Sequence, residues 1–171
     1  MVYFKEKLFS LFLNDIEMHL QENINMGITI DQVSIYLLLF ADDTVLLSEA
    51  AQGLQQMLDS LHGYCNTWSL TVNVDKTKIL VFRKWGRLPQ NSRWLYNGHE
   101  IGIVSSFNYL GVVFSSGGSF MKATSTLAGK ALRSLYSLKS ILREVQQVPV
   151  NILFNLFYAY VLSVLNYNSE V

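Results

Sequence analysis

Ile35-Tyr-Leu-Leu-Leu-Phe-Ala-Asp-Asp-Thr-Val-Leu-Leu47 sets two short apolar runs on either side of a tight polar pair. Each run is long enough for a buried strand and too short for a stable helix. The stretch therefore predicts a β-hairpin with Asp42 and Asp43 at its tip. Adjacent carboxylates between apolar strands repel one another and lose solvation, so water or a cation must compensate. Two readings fit the pair. It is an ordinary polar turn, or it supplies hard oxygen ligands of the kind Mg²⁺ prefers, fixed on strands as two-metal phosphoryl transfer requires. The tetrapeptide Phe40-Ala-Asp-Asp43 does not choose between them.

Outward from the hairpin, Ser48 is placed to cap a helix with Glu49 in its first turn. Leu54, Leu58, Leu61, Cys65 and Trp68 repeat at helical steps over about 49–69, with His62 on the flank. Upstream, Leu8, Phe9, Phe12, Leu13, Ile16 and Leu20 predict a helix over roughly 7–22, ended by Asn25 and Gly27. Downstream the period shortens: Leu70, Val72 and Val74, then Ile79 to Phe82, predict short strands around a break at Asp75-Lys76. Residues 84–93 read as a basic loop. Asn97-Gly98 signals a hairpin turn, and Tyr109 to Phe114 predicts one further strand. Ser115-Ser-Gly-Gly118 marks a boundary. Beyond it, Thr124, Leu127, Ala131, Leu135, Leu138, Leu142 and Val145 fall on one face of a helix over about 120–145, while Lys122, Lys130, Arg133, Lys139 and Arg143 lie elsewhere around it. Pro149 opens a last, uncharged segment. The expected class is α+β, an antiparallel sheet with packed helices over 1–118 followed by a helical segment over 119–171.

Half of the 171 residues are hydrophobic and 15% are charged, which is apolar for a soluble domain. A single cysteine, Cys65, excludes an internal disulfide framework and a cysteine-rich zinc site. Met1 to Lys7 carries charge where a secretory signal needs its apolar run, so an intracellular chain is expected. Residues 146–169 hold no charge, but Asn151, Asn155, Ser163 and Asn166 argue against a membrane span. Net charge is zero and unevenly spread. Residues 1–75 carry two basic side chains against ten acids, net −8, and residues 76–171 carry eleven against three, net +8. That pattern suits a cation-holding region beside a polyanion-holding one, and equally two solvated faces.

The order of the segments carries a resemblance. Phe40-Ala-Asp-Asp-Thr-Val-Leu-Leu-Ser48 resembles the catalytic hairpin, motif C, of reverse transcriptases. The helix ending Cys65-Asn-Thr-Trp68 and the following Leu70-Thr-Val-Asn-Val-Asp-Lys-Thr-Lys78 resemble motif D of the class found in retrotransposons without long terminal repeats. Phe107-Asn-Tyr-Leu-Gly-Val-Val-Phe114 is similar to the primer-grip block, motif E. Leu11-Phe-Leu-Asn-Asp-Ile-Glu17 is similar to the helix before the catalytic hairpin, and Tyr167-Asn-Ser-Glu-Val171 to a segment after the thumb helices.

The resemblance implies a partial polymerase palm over 1–118 and a helical thumb-like segment over 119–171, acting in RNA-directed DNA synthesis on an RNA template and a DNA primer. Asp42 and Asp43 would be the catalytic, Mg²⁺-binding carboxylates. Phe40, Asn73 and Lys76 would lie near the incoming triphosphate, with lysine a mobile point charge for phosphate. Tyr109, Leu110 and Gly111 would form the primer-grip turn, whose tyrosine and leucine also suit core packing. Lys122, Lys130 and Arg133 would meet the nucleic-acid backbone, or simply solvate the helix. The 41 residues ahead of Asp42 match the helix after motif B and contain no motif A aspartate, so the expectation is a catalytically incomplete chain whose partner is the missing N-terminal half. The alternative expectation is a non-catalytic nucleic-acid-binding remnant.

Overall fold

The computed structural model describes residues 11, 13–21, 27–89, 92–145 and 147–169. The chain forms two compact units, residues 1–79 with 87–102 and residues 80–86 with 103–171. Much of the predicted helix over 7–22, including Leu8, Phe9 and Phe12, lies outside the described residues, as does Glu170-Val171.

In the first unit, α1 (Ile16–Gln21) packs on α2 (Ala51–Thr67). Leu13, Ile16 and Leu20 are buried there with Met57, Leu58, Leu61, Tyr64 and Cys65. Ser48 does not cap α2. Its hydroxyl bonds to the backbone of Ala50 instead, and Ala50 occupies the cap position. Trp68 is exposed because the helix ends there. Ser69 turns left-handed at φ 55°, and the Leu70 N–H returns to the Cys65 carbonyl at 2.8 Å, a Schellman stop. The Tyr64 hydroxyl donates to Asp15 at 2.6 Å, and burial first, then that bond, pushes its pKa up.

Three hairpins belong to this unit. β1 (Ile28–Ile30) pairs with β2 (Val33–Ile35), and β3 (Leu37–Phe40) with β4 (Asp43–Leu46), both antiparallel. The strands expected from Leu70 to Val74 do not form. The Asn73 carbonyl and side chain take up the backbone N–H groups of Thr77 and Lys76, so these donors serve a local turn rather than a ladder. β5 (Lys78–Leu80) follows. β6 (Leu95–Tyr96) and β7 (His99–Glu100) close over Asn97-Gly98, both at positive φ, as the sequence predicts. The Gln55 side chain grips this hairpin by bonding both the N–H and the carbonyl of Leu95 at 2.9 Å.

The second unit begins within β5 and resumes inside β8 (Gly102–Val104). The single strand expected over Tyr109–Phe114 is a hairpin. β9 (Ser106–Tyr109) and β10 (Val112–Ser115) pair across Leu110-Gly111. Both turn residues have positive φ, 47° and 83°, which matches the twist of a two-residue hairpin. α3 (Met121–Arg143) buries a narrower stripe than predicted. Ala131 and Leu138 meet Val161, with Leu142, Leu156 and Val164 around them, while Leu135 and Val145 stay exposed. One helical partner covers only part of a wide apolar face. That partner is α4 (Val150–Phe157), a π-helical turn (Tyr158–Leu162) and α5 (Ser163–Leu165). Among the described residues no helix is long and apolar enough to cross a membrane.

Among the described residues the architecture is thus mixed helix and strand, with small two-stranded sheets, four of them antiparallel hairpins, rather than one continuous sheet.

Candidate active site and nucleic-acid interface

The β3–β4 register pairs Phe40 with Asp43, leaving Ala41 and Asp42 as the two turn residues. Ala41 takes φ 50°, a left-handed conformation that costs an L-residue about 1–2 kcal/mol. The strand pairing holds it there. Asp42, Asp43 and Phe40 are all exposed, and neither carboxylate forms an ion pair among the described residues. The carboxylate oxygens therefore face solvent from a two-stranded support.

The donor chemistry suits Mg²⁺, which takes one or two carboxylates and completes its octahedron with water and phosphate oxygens. Among the described residues no group of three or more His, Cys, Asp or Glu side chains gathers to hold a metal. Asp42 and Asp43 alone would fill only part of such an ion's coordination shell.

Asn73 and Lys76 sit on the turn after α2. The Asn73 side-chain oxygen accepts the Lys76 N–H at 3.1 Å, which shapes the turn and leaves the Lys76 side chain exposed. Lys78 is occupied differently, its ammonium donating to the Asp75 carbonyl at 2.5 Å.

In the second unit, Tyr109, Leu110 and Gly111 are half-buried at the β9–β10 turn. Tyr167 touches this turn, its hydroxyl donating to the Leu110 carbonyl at 2.9 Å. A Cβ on Gly111 would lie 2.9 Å from a Tyr167 ring carbon, so any side chain there would displace the ring, and the positive φ independently favours glycine. Sequence reasoning quoted Tyr167 only as part of a resemblance. A residue 57 positions away carries no local signal of this contact.

Lys122 and Arg133 are eleven residues apart, about three helical turns, and so share a face of α3. Lys130 is half-buried on the flank. Lys122 is engaged, donating to the Ser106 hydroxyl on β9 at 2.7 Å. Arg133 is exposed.

The family model described as reverse transcriptase (RNA-dependent DNA polymerase) matches residues 7–114. The chain is also 27% identical over 112 residues to the RNA-directed DNA polymerase from mobile element jockey of Drosophila melanogaster. That alignment covers 61% of this chain and 11% of the relative, so the chain corresponds to a small part of that protein's length. No solved structure matches. The match spans more than half of the chain and takes in the Asp42-Asp43 hairpin, the Asn73–Lys76 turn and the Tyr109–Gly111 turn. On that ground, this chain belongs to the reverse transcriptase (RNA-dependent DNA polymerase) family.

Proposed function

We propose that the chain serves RNA-directed DNA synthesis as the palm and thumb part of a retrotransposon reverse transcriptase, with residues 1–118 as partial palm and 119–171 as thumb. The observation that carries this reading is the Asp42-Asp43 pair, Asp42 in a tight hairpin turn and Asp43 at the start of the following strand, inside the family-matched segment. In this reading Asp42 and Asp43 offer oxygen ligands to Mg²⁺, which when bound neutralises charge on the reacting phosphate oxygens. Further ligands, including the motif A aspartate, come from a polypeptide bearing the fingers. The chain alone binds nucleic acid without polymerising.

The remaining residues act by position and charge. Phe40 forms an apolar wall beside the turn. Asn73 orders the loop that presents the Lys76 ammonium to the triphosphate. Tyr109, Leu110 and Gly111 support the primer. Arg133 and Lys130 hold backbone phosphates, which gives affinity without sequence choice. Lys122 contributes its charge at the foot of the same helix, from its seat on Ser106.

Titrating a fluorescent RNA–DNA hybrid with the 171-residue chain tests the reading. Binding should be indifferent to sequence and fall steeply with salt. Lys130→Ala with Arg133→Ala should reduce the log–log salt slope by about two. Affinity that ignores salt, or a slope unmoved by the double substitution, would overturn the interface.

A further inference from the structure

Leu110 and Gly111 form a turn that is held from outside its own hairpin. The Tyr167 hydroxyl donates to the Leu110 carbonyl at 2.9 Å, and the ring lies so close to Gly111 that a Cβ would meet it at 2.9 Å. Two contacts of different kinds, a hydrogen bond and a steric stop, fix the turn at adjacent residues. Tyr167 in turn is carried by the last helical segment, where Val161 is buried against Ala131 and Leu138 of α3 and Val164 packs beside it. The start of α3 is tied to the same hairpin by the Lys122–Ser106 bond. The β9–β10 turn and the helices therefore form one body, closed at one end by Lys122 and at the other by Tyr167.

We infer that Tyr167 is a positioning residue for the primer. It sets the Leu110–Gly111 turn against the 3′-terminal nucleotide and keeps it in fixed relation to the phosphate-binding face of α3. The inference rests on the polymerase reading proposed above and adds a residue to it. A lone hairpin with a non-glycine residue at φ 47° would relax by changing its turn, and a helix with loose basic side chains would bind duplex anywhere along its length. With the turn locked to the helix, the chain has a preferred distance between bound phosphates and a strand end. It should therefore distinguish a recessed 3′ end from continuous duplex.

The experiment compares two probes of equal duplex length, a DNA primer recessed on an RNA template and the same hybrid closed at both ends by hairpin loops so that it exposes no 3′ terminus, titrated with the full chain. The unsubstituted chain should prefer the recessed end. Tyr167→Phe keeps the ring and deletes the donor, and should reduce that preference about two- to tenfold while leaving the salt slope unchanged. Tyr167→Ala should reduce it further. A role in stability alone would lower the melting temperature of both variants and leave the end preference intact, and that result overturns the inference while the polymerase reading stands. If the unsubstituted chain binds hybrid with no end preference, the primer-grip role of Tyr109–Gly111 fails, and the inference fails with it. If it does not bind hybrid at all, the polymerase reading itself is wrong. Because Tyr167→Phe removes only an oxygen from a half-exposed ring, it reports even where Tyr167→Ala does not fold.

Discussion

The β3–β4 and β9–β10 hairpins are built alike and supported differently. Each has a two-residue turn with a non-glycine residue at φ near 50°, Ala41 in one and Leu110 in the other. The β9–β10 turn is braced by Tyr167, its strand β9 is tied to Lys122, and β10 packs on α3. The β3–β4 hairpin leaves Leu38, Leu39 and Phe40 at 40–58% exposure beside its bare carboxylates. Adjacent exposed apolar side chains on a strand mark a surface that meets something else. The β9–β10 turn is braced from within the chain, whereas the β3–β4 turn, which bears Asp42, presents an open apolar flank.

That contrast breaks first on catalysis. A polypeptide bearing the fingers and motif A of a related reverse transcriptase should co-purify with this chain and make it competent for primer extension. Asp42→Asn should then abolish incorporation and leave co-purification unchanged. The chain alone should incorporate no more nucleotide than an Asp42→Ala, Asp43→Ala control in Mg²⁺ or Mn²⁺. Incorporation above that control would show that the hairpin needs no partner.

Packing gives the next largest difference. Leu138 is 8% exposed in the core of the second unit, so Leu138→Ala should cost about 2–4 kcal/mol. Leu38 is 40% exposed on β3, and Leu38→Ala should cost less than about 1 kcal/mol. Urea unfolding followed by circular dichroism measures both. Equal losses would mean that β3 is as well packed as the helical core.

The same contrast explains what could be read in the sequence. The β3–β4 hairpin was legible because its signal is local: two apolar runs around a polar pair specify two strands, although the turn itself is Ala41-Asp42 and Asp43 opens β4. Asn97-Gly98 was legible for the same reason, through its left-handed preference. Periodicity read Tyr109 to Phe114 as one strand, and only the resemblance placed a turn at Tyr109–Gly111, because Leu110 is not a turn former and its carbonyl is held by a residue 57 positions away. Leu70 to Val74 alternates like a strand, yet Asn73 captures the backbone donors that a ladder needs. The wide apolar stripe of α3 was visible, but not how little of it one helical partner would cover, which leaves Leu135 and Val145 exposed on that face.

A third test separates the units by pH. Burial raises the pKa of Tyr64 and of Tyr96 in the first unit, assisted by hydrogen bonds to Asp15 and Cys65 respectively. Both phenols stay protonated in the folded chain above pH 10, where unfolded tyrosine ionises. The folded state then binds more protons than the unfolded one, so stability falls as pH rises from about 10 through the folded values and is fully present below. Hydrogen exchange at rising pH should show the first unit opening before the second, and Tyr64→Phe should flatten the fall. A slope unchanged by that substitution would place the alkaline sensitivity elsewhere.

The smallest effect concerns the two turns directly. Ala41→Gly relieves about 1–2 kcal/mol of left-handed strain and adds about 0.5–1 kcal/mol of unfolded-state entropy that folding must remove. The net should be a gain of about 0.5 kcal/mol, which for a chain of this size raises the melting temperature by about 1–2 °C. Leu110→Gly relieves the same backbone strain at φ 47° but deletes a half-buried side chain from a turn already braced by Tyr167, so it should give no gain or a loss. The pair of melting curves thus asks whether the β3–β4 turn is held only by its own strands. A gain at Ala41 with none at Leu110 keeps the contrast between the hairpins. Equal gains would mean that Tyr167 contributes nothing to the second turn, and a loss at Ala41 would mean that its methyl group has a packing role that its exposed neighbours do not reveal.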